Sequence, residues 1–224
     1  MKSVMRAVLV GGLAMLALSL VTAGVAAAAT PVEFKPVPKV KTFKAKFGST
    51  NWWFTANAEY VACTGGSISG EITGASTVGK IALKYTGCTG HVSTGSCSVH
   101  STGSKTEGAS GEIIMTTLDG ELGTANENAA LLLKPVEGTR WTTFDGCYGY
   151  EGVLSGTLGA ENLIKGRSEV HDLESLQKED GKEGIREFTT NSGTTVKVGL
   201  DYTSASVSVN QKIAIDFEEA FEIT

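Results

Sequence analysis

Two pairs of cysteine and histidine form the most specific chemical pattern in this 224-residue chain. Cys88 and His91 are separated by two residues, and so are Cys97 and His100. Tetrahedral zinc accepts two thiolates and two imidazoles from such spacings. Disulfides would remove the thiolates that a metal needs, and disulfides form in exported proteins. The choice between zinc and disulfides therefore depends on where the chain resides.

The first 29 residues predict export. Lys2 and Arg6 flank the start of an apolar segment at residues 7–25, and the alanine run at 26–29 offers small-residue cleavage sites. An uncleaved membrane anchor is the alternative, because the apolar segment is nearly long enough to span a bilayer. We favour a secretory signal peptide and expect a mature protein that is secreted, extracellular or in the cell envelope, with no membrane segment. Disulfides are then preferred to zinc, and no cofactor is expected.

Charge restricts the partners of the mature chain. Loss of Lys2 and Arg6 leaves 17 basic side chains against 24 acidic ones, a formal charge of −7. This acidic balance argues against nucleic acid and anionic lipid as partners. The remaining residues are enough for one sizeable core. We therefore divide the chain into a signal peptide (1–29), a Pro- and Lys-rich leader (30–40) and one all-β domain (41–224).

The segment around the first two cysteines predicts a β-hairpin. Folding it about a two-residue loop, Ala75-Ser76, sets Ile68 opposite Leu83. The same count sets Cys63 opposite Cys88, so the two thiols meet in the register that pairs the aliphatic residues. Four cysteines allow three connectivities, and this register favours one of them. The predicted disulfides are Cys63–Cys88 and Cys97–Cys147.

Strand alternation also predicts the two faces of this hairpin. Ile68 and Ile72 share the core face, whereas Cys63 and Glu71 fall on the other face. Glu71 lies opposite Lys80 in the predicted register, which pairs opposite charges across the strands. The first disulfide is therefore expected on the side of the sheet away from the core.

Short alternating strands separated by Gly-rich turns recur along the chain. They predict an all-β single domain, either an antiparallel β-sandwich or a closed β-barrel, of about ten strands. Three strands place two aliphatic residues four apart with Gly70, Gly120 or Gly156 midway between them. Such a glycine either accepts a bulky neighbour or bends the strand. Asp119-Gly120 is alternatively a hairpin turn.

Two further segments carry expectations about the sheet. Residues 129–135 form a short apolar run, which predicts either a buried strand or one helical turn. A three-residue loop at 210–212 would set Val209 opposite Ile213, and this predicts a hairpin near the C-terminus.

Aromatic side chains on an exposed strand face are typical of ligand-binding modules. Trp53 and Trp141 fall on the strand parity opposite the main aromatic residues, where they could stack on a sugar or a planar ligand. Cys147 shares the parity of Trp141, so the alternative is a second packed layer beneath a disulfide. We favour the packed layer.

Acidic residues offer a third chemistry. Glycoside hydrolysis needs two carboxyl groups at a defined separation, and Glu112, Glu121, Asp145 and Glu151 are candidates whose separations the sequence does not define. The chain contains neither a Gly-x-Ser-x-Gly elbow nor a His-Glu-x-x-His motif. No catalytic residue is therefore assigned.

Several short motifs together resemble an uncharacterised family of secreted Gly/Thr-rich four-cysteine actinobacterial proteins. The motifs lie within residues 40–165 and include Ser69-Gly-Glu-Ile-Thr-Gly74, Thr86-Gly-Cys88, Ser110-Gly-Glu-Ile113, Leu118-Asp-Gly-Glu-Leu-Gly123 and Leu131-Leu-Leu-Lys-Pro135. The resemblance implies an exported protein and assigns no activity to any residue.

These observations lead to three functional hypotheses. We favour a secreted or envelope-associated, non-enzymatic structural or adhesive protein, whose candidate partner is a cell-envelope or extracellular glycan. The first alternative is an extracellular carbohydrate- or small-ligand-binding module that uses Trp53 and Trp141. The second is a secreted hydrolase that uses acidic residues.

Overall fold

The protein is built from β-strands throughout the part that the structure describes. The computed structural model describes residues 30–37, 41–54, 59–103, 106–147, 150–162, 168–175, 187–203 and 205–223, so the predicted signal peptide lies outside it. Within these ranges there are nineteen strands and no helix, which confirms the all-β prediction, although the sequence predicted about ten strands. The strands are β1 (Phe34–Lys35), β2 (Thr42–Phe47), β3 (Thr50–Phe54), β4 (Glu59–Cys63), β5 (Gly65–Ile72), β6 (Thr77–Thr86), β7 (Thr89–Val92), β8 (Gly95–Ser98), β9 (His100–Thr102), β10 (Glu112–Ile114), β11 (Leu118–Ala125), β12 (Asn128–Pro135), β13 (Arg140–Cys147), β14 (Tyr150–Asn162), β15 (Ser168–Ser175), β16 (Glu187–Thr190), β17 (Thr195–Lys197), β18 (Gly199–Tyr202) and β19 (Ala205–Ile223).

Two antiparallel sheets share the two longest strands. Sheet I has the order β6, β5, β2, β19, β15, β14, β12 and β11, with β10 beside β6 and β16 beside β11. Sheet II has the order β9, β13, β14, β18, β19, β3, β4, β7 and β8. Each long strand, β14 and β19, begins in sheet II and continues into sheet I. The two sheets are therefore tied together by continuous backbone.

β11 also pairs with β6, but sheet I does not form a continuous ring of hydrogen-bonded strands, because two of its joins are very short. β19 meets β2 at the single residue pair Asp216 and Lys44, and β14 meets β15 at two residue pairs. The described residues therefore form a sandwich-like fold, in which opposite parts of the sheet pack on one core, and they do not support the closed-barrel alternative.

The predicted hairpin is present as β5 and β6, but its loop is longer than expected. Ile68 pairs with Leu83 as predicted. The backbone N–H of Thr73 donates to the carbonyl oxygen of Thr77 at 2.9 Å, which leaves the three residues 74–76 as the loop. The two-residue loop was therefore wrong.

A β-bulge compensates for the longer loop. The register shifts by one residue between Ser69 and Glu71, so that Glu71 pairs with Gly79 and not with Lys80. Lys80 has a φ of 53°, in the left-handed region. The longer loop shifts the register by one residue, and the extra residue of the bulge shifts it back. The pairs beyond the bulge therefore have the predicted register. The Lys80 Nζ still reaches Glu71 Oε1 at 2.6 Å.

β12 is buried on both faces. Leu131 and Leu133 belong to the main core between the opposite parts of the sheets, and Leu132 packs on the other side with Phe188 and Val198. β16 and β17 supply this outer cover. The buried strand predicted here is confirmed, and the helical-turn alternative is wrong.

The predicted C-terminal hairpin is absent. Residues 210–212 lie inside β19, which continues without a turn. Val207, Gln211 and Ile213 are all buried and share one strand parity. Gln211 thus fills a core position of a continuous strand. The prediction of a three-residue loop was wrong because it assigned this polar residue to a turn.

The glycines at the centre of the three repeated strands have two different structural roles. A Cβ at Gly70 would lie 2.6 Å from Phe43 Cζ, and one at Gly120 would lie 2.5 Å from Val78 Cγ2, so both glycines accept a bulky neighbour. Gly156 has a φ of +112° and approaches the backbone of β18. Gly120 lies within β11, so the hairpin-turn alternative for this segment is wrong.

The described part of the leader packs on the domain. Val32 and Phe34 are buried, and Phe34 pairs with Ile223 at the end of β19. The Asn191 side chain accepts from the Val32 N–H at 2.8 Å and donates to its carbonyl oxygen at 3.0 Å. This segment therefore contributes to the core and is more than a linker.

Candidate functional site

The Cys63–Cys88 disulfide is present, as predicted. Its Cα atoms are 4.0 Å apart, and both residues are 1% exposed. The expectation that it lies away from the core was wrong. The chain bends at Thr64, where it passes from β4 in sheet II to β5 in sheet I, so the alternation of β5 does not continue to Cys63.

The zinc alternative fails at its first pair of ligands. Cys88 is bonded to Cys63, and Cys97 is also disulfide-bonded. The side chain of Cys147 lies outside the described residues, so the Cys97–Cys147 pairing stays a prediction. Among the described residues no group of three or more His, Cys, Asp or Glu side chains is arranged to hold a metal ion.

His91 instead belongs to a row of residues that crosses sheet II. Its ring stacks on Tyr60 with centroids 4.3 Å apart and an interplanar angle of 14°, and its Nδ1 lies 3.0 Å from Ser96 Oγ. Tyr60 pairs with His91 on one side and with Trp53 on the other. We call Trp53, Tyr60 and His91 the aromatic row. The side chain of Trp53 lies outside the described residues, and only its register position is assigned.

Trp141 does not occupy the exposed position that stacking on a ligand needs. It is 1% exposed and belongs to the main core. Its Nε1–H donates to the carbonyl oxygen of Gly156 at 2.9 Å, which satisfies the one polar atom of the indole. In this conformation neither face of the ring is open to a ligand, so the structure corresponds to the packed-layer alternative.

The candidate carboxylates are dispersed over both sheets. Glu112 Oε1 lies 2.6 Å from Lys84 Nζ, and this contact holds the pKa of the Glu112 carboxyl below its ordinary value. Asp145 Oδ1 lies 3.4 Å from His100 Nε2 across the pair of β13 and β9. Glu121 lies on β11 and Glu151 on β14.

An open groove lies on the outer face of sheet I beside the bulge. Its volume is about 470 Å³, and the side chains that line it come from three strands. β2 supplies Thr42 and Lys44, β5 supplies Ser69 and Glu71, and the bulge of β6 supplies Lys80. We call this the outer groove. It is a polar surface that contains hydroxyl, ammonium and carboxylate groups.

Comparison with models of protein families, with curated proteins and with solved structures found no match to this chain. The described residues include no helix long and apolar enough to cross a membrane.

A buried polar pair inside the core was also missed by the sequence patterns. The Tyr85 hydroxyl donates to Gln211 Oε1 at 2.8 Å, and both side chains are buried. Gln211 Nε2 has no hydrogen-bond partner among the described residues. The unbroken odd-numbered parity from Val207 to Ile215 is the signal that would have placed Gln211 in the core.

Proposed function

We propose that this protein is a secreted or envelope-associated, non-enzymatic structural or adhesive protein. The observation that supports the exported location in this proposal is the buried Cys63–Cys88 disulfide at the passage from sheet II to sheet I. A structural disulfide persists in oxidising compartments and is rare in the cytosol. The signal-like residues 1–29 and the resemblance to secreted four-cysteine proteins support the same location.

Cell fractionation of a host that expresses the full chain tests this proposal. We expect the protein in the medium or the envelope fraction, with a mature N-terminus near residue 30 and with Cys63 linked to Cys88 in non-reducing peptide maps. A cytoplasmic full-length chain with free thiols would contradict the proposal.

A carbohydrate- or small-ligand-binding module is the second candidate, and the aromatic row is the observation that favours it. Tyr60 and His91 stack on each other, so a ligand would contact their edges and their remaining outer faces. Trp53 extends the row by register, whereas Trp141 is buried and is not part of this site.

Substitution within the row tests the second candidate. We expect Tyr60→Ala and His91→Ala to reduce binding of a planar or saccharide ligand, measured by calorimetry. His100→Ala is the matched control, because His100 lies in sheet II outside the row. Equal binding by all three variants would exclude the row as a ligand site.

The hydrolase hypothesis has less support from the described residues. A general acid needs a raised pKa so that it is protonated at working pH. Glu112 contacts Lys84 at 2.6 Å, and this contact lowers the pKa of its carboxyl, which is the opposite direction from the shift that a general acid needs.

A further inference from the structure

The outer groove exists because of the bulge in the β5–β6 hairpin. Two residues, Lys80 and Ile81, lie opposite Gly70 where the register shifts. A bulge bends its strand and increases the local twist. The resulting concavity of about 470 Å³ has the size of a small-ligand site. Phe43 and Gly70 complete its floor, while the Phe43 ring points into the core.

Lys80 occupies this bulge in a conformation that suits other residues better. Its φ of 53° lies in the left-handed region, which glycine and asparagine adopt more readily than lysine. Its side chain is 75% exposed, and its ion pair with Glu71 is a surface contact of a kind that contributes little to stability. The fold therefore does not require lysine here. A lysine that adopts this conformation, where the fold would accept glycine or asparagine, is a candidate functional position.

The chemistry of the groove matches a ligand rich in hydroxyl groups. Thr42 and Ser69 each donate and accept hydrogen bonds, the ammonium groups of Lys44 and Lys80 donate, and the carboxylate of Glu71 accepts. The adjacent hydroxyl groups of a sugar both donate and accept hydrogen bonds, so they need donors and acceptors side by side. The lining therefore suits a polyhydroxylated molecule better than an apolar one.

The charge of the groove argues against a strongly anionic ligand. Glu71 contacts Lys80 at 2.6 Å, so these two charges offset each other, and Lys44 is the remaining charged side chain of the described lining. One excess ammonium group on a chain that is acidic as a whole gives a weak field for an anion.

We propose that the outer groove binds a neutral saccharide, with Lys80, Glu71 and Ser69 as its contact residues. This inference rests on the proposed adhesive function and names the chemical class of its partner. The site is separate from the aromatic row, which lies on sheet II.

Binding to an array of neutral hexose oligosaccharides, followed by calorimetry on the best binder, tests the proposal with the disulfide-bonded chain. Ser69→Phe fills the groove from an exposed position and should abolish binding. Ser67→Phe is the matched control, because Ser67 is exposed on the same face of β5 but does not line the groove. Lys80→Asn should weaken binding about tenfold, the effect of losing one charge-assisted hydrogen bond, while its thermal midpoint stays unchanged or rises.

Three results would overturn the proposal: no neutral saccharide binds, Ser69→Phe binds as well as Ser67→Phe, or the groove prefers peptides. Fractionation distinguishes this failure from that of the proposed function. An envelope protein that binds no saccharide contradicts the groove alone, whereas a cytoplasmic protein that binds one through Ser69 and Lys80 contradicts the export proposal alone.

Discussion

Replacing Tyr85 by phenylalanine should destabilise the protein by removing a single buried oxygen atom. Tyr85 is 1% exposed, and its hydroxyl donates to Gln211 Oε1 at 2.8 Å. Gln211 is 4% exposed, and its Nε2 already lacks a partner among the described residues. In Tyr85→Phe the amide oxygen also loses this donor inside the core. The cost of a buried polar atom that loses its partner is about 1–3 kcal/mol.

The reciprocal substitution should cost less. Methionine has a similar length, and Gln211→Met removes both the oxygen that accepts from Tyr85 and the unpartnered amide nitrogen. The lost hydrogen bond is therefore partly offset by the removal of an unsatisfied buried group. The double variant Tyr85→Phe/Gln211→Met replaces both partners by apolar groups and should lie close to the wild-type protein. The two substitutions should therefore be coupled, by about 1–3 kcal/mol in the favourable direction.

Thermal and urea unfolding under non-reducing conditions measure this cycle. A loss of about 2 kcal/mol corresponds to a decrease of about 4–8 °C in Tm for a domain of this size. If Tyr85→Phe left Tm unchanged, or if the double variant equalled the sum of the single ones, the buried hydrogen bond would be refuted.

Three other perturbations test separate parts of the fold. The double variant Cys63→Ala/Cys88→Ala opens a loop of 25 residues and should lose about 3.5 kcal/mol; an unchanged Tm would contradict the structural role of the disulfide. Gly120→Val places a side chain where a Cβ alone would lie 2.5 Å from Val78 Cγ2, and urea unfolding should show a loss of at least about 1–3 kcal/mol. Burial raises the pKa of Tyr85, so above about pH 10 the unfolded chain releases a proton that the folded chain keeps, and stability falls as pH rises. Tyr85→Phe should flatten this alkaline decrease and leave the pH dependence near neutrality unchanged.

Local patterns predicted those features of the fold that depend on neighbouring strands. Alternation and residue counting placed Ile68 opposite Leu83 and joined Cys63 to Cys88, and both results are confirmed. The loop prediction was nevertheless wrong, because a three-residue loop and the bulge at Lys80 shift the register in opposite directions. Counting outward from the loop reaches the correct distant pairs even when it misses two compensating shifts, because only the sum of the shifts affects those pairs.

The outer groove shows the same limit at the candidate site. The sequence indicated that Glu71 and Lys80 lie close together, and the ion pair confirms this. It did not indicate that Lys80 takes a left-handed conformation or that β2 would bring Thr42 and Lys44 alongside. The pairing of β2 with β5 joins segments that are far apart along the chain, so no local periodicity reports it.

The sequence by itself determined the class of structure, the core face of β5 and the first disulfide, because these follow from the two-residue period of a strand and from short-range register. Only the tertiary structure decided which strands continue and which faces are covered. β19 continues through residues 210–212, and Gln211 is buried there with the Tyr85 hydroxyl as the donor to its Oε1. Trp141 is buried in the main core, and Cys63 turns inward where the chain passes from β4 in sheet II to β5 in sheet I. Burial depends on which surfaces meet in space, and the alternation within one strand does not contain that information.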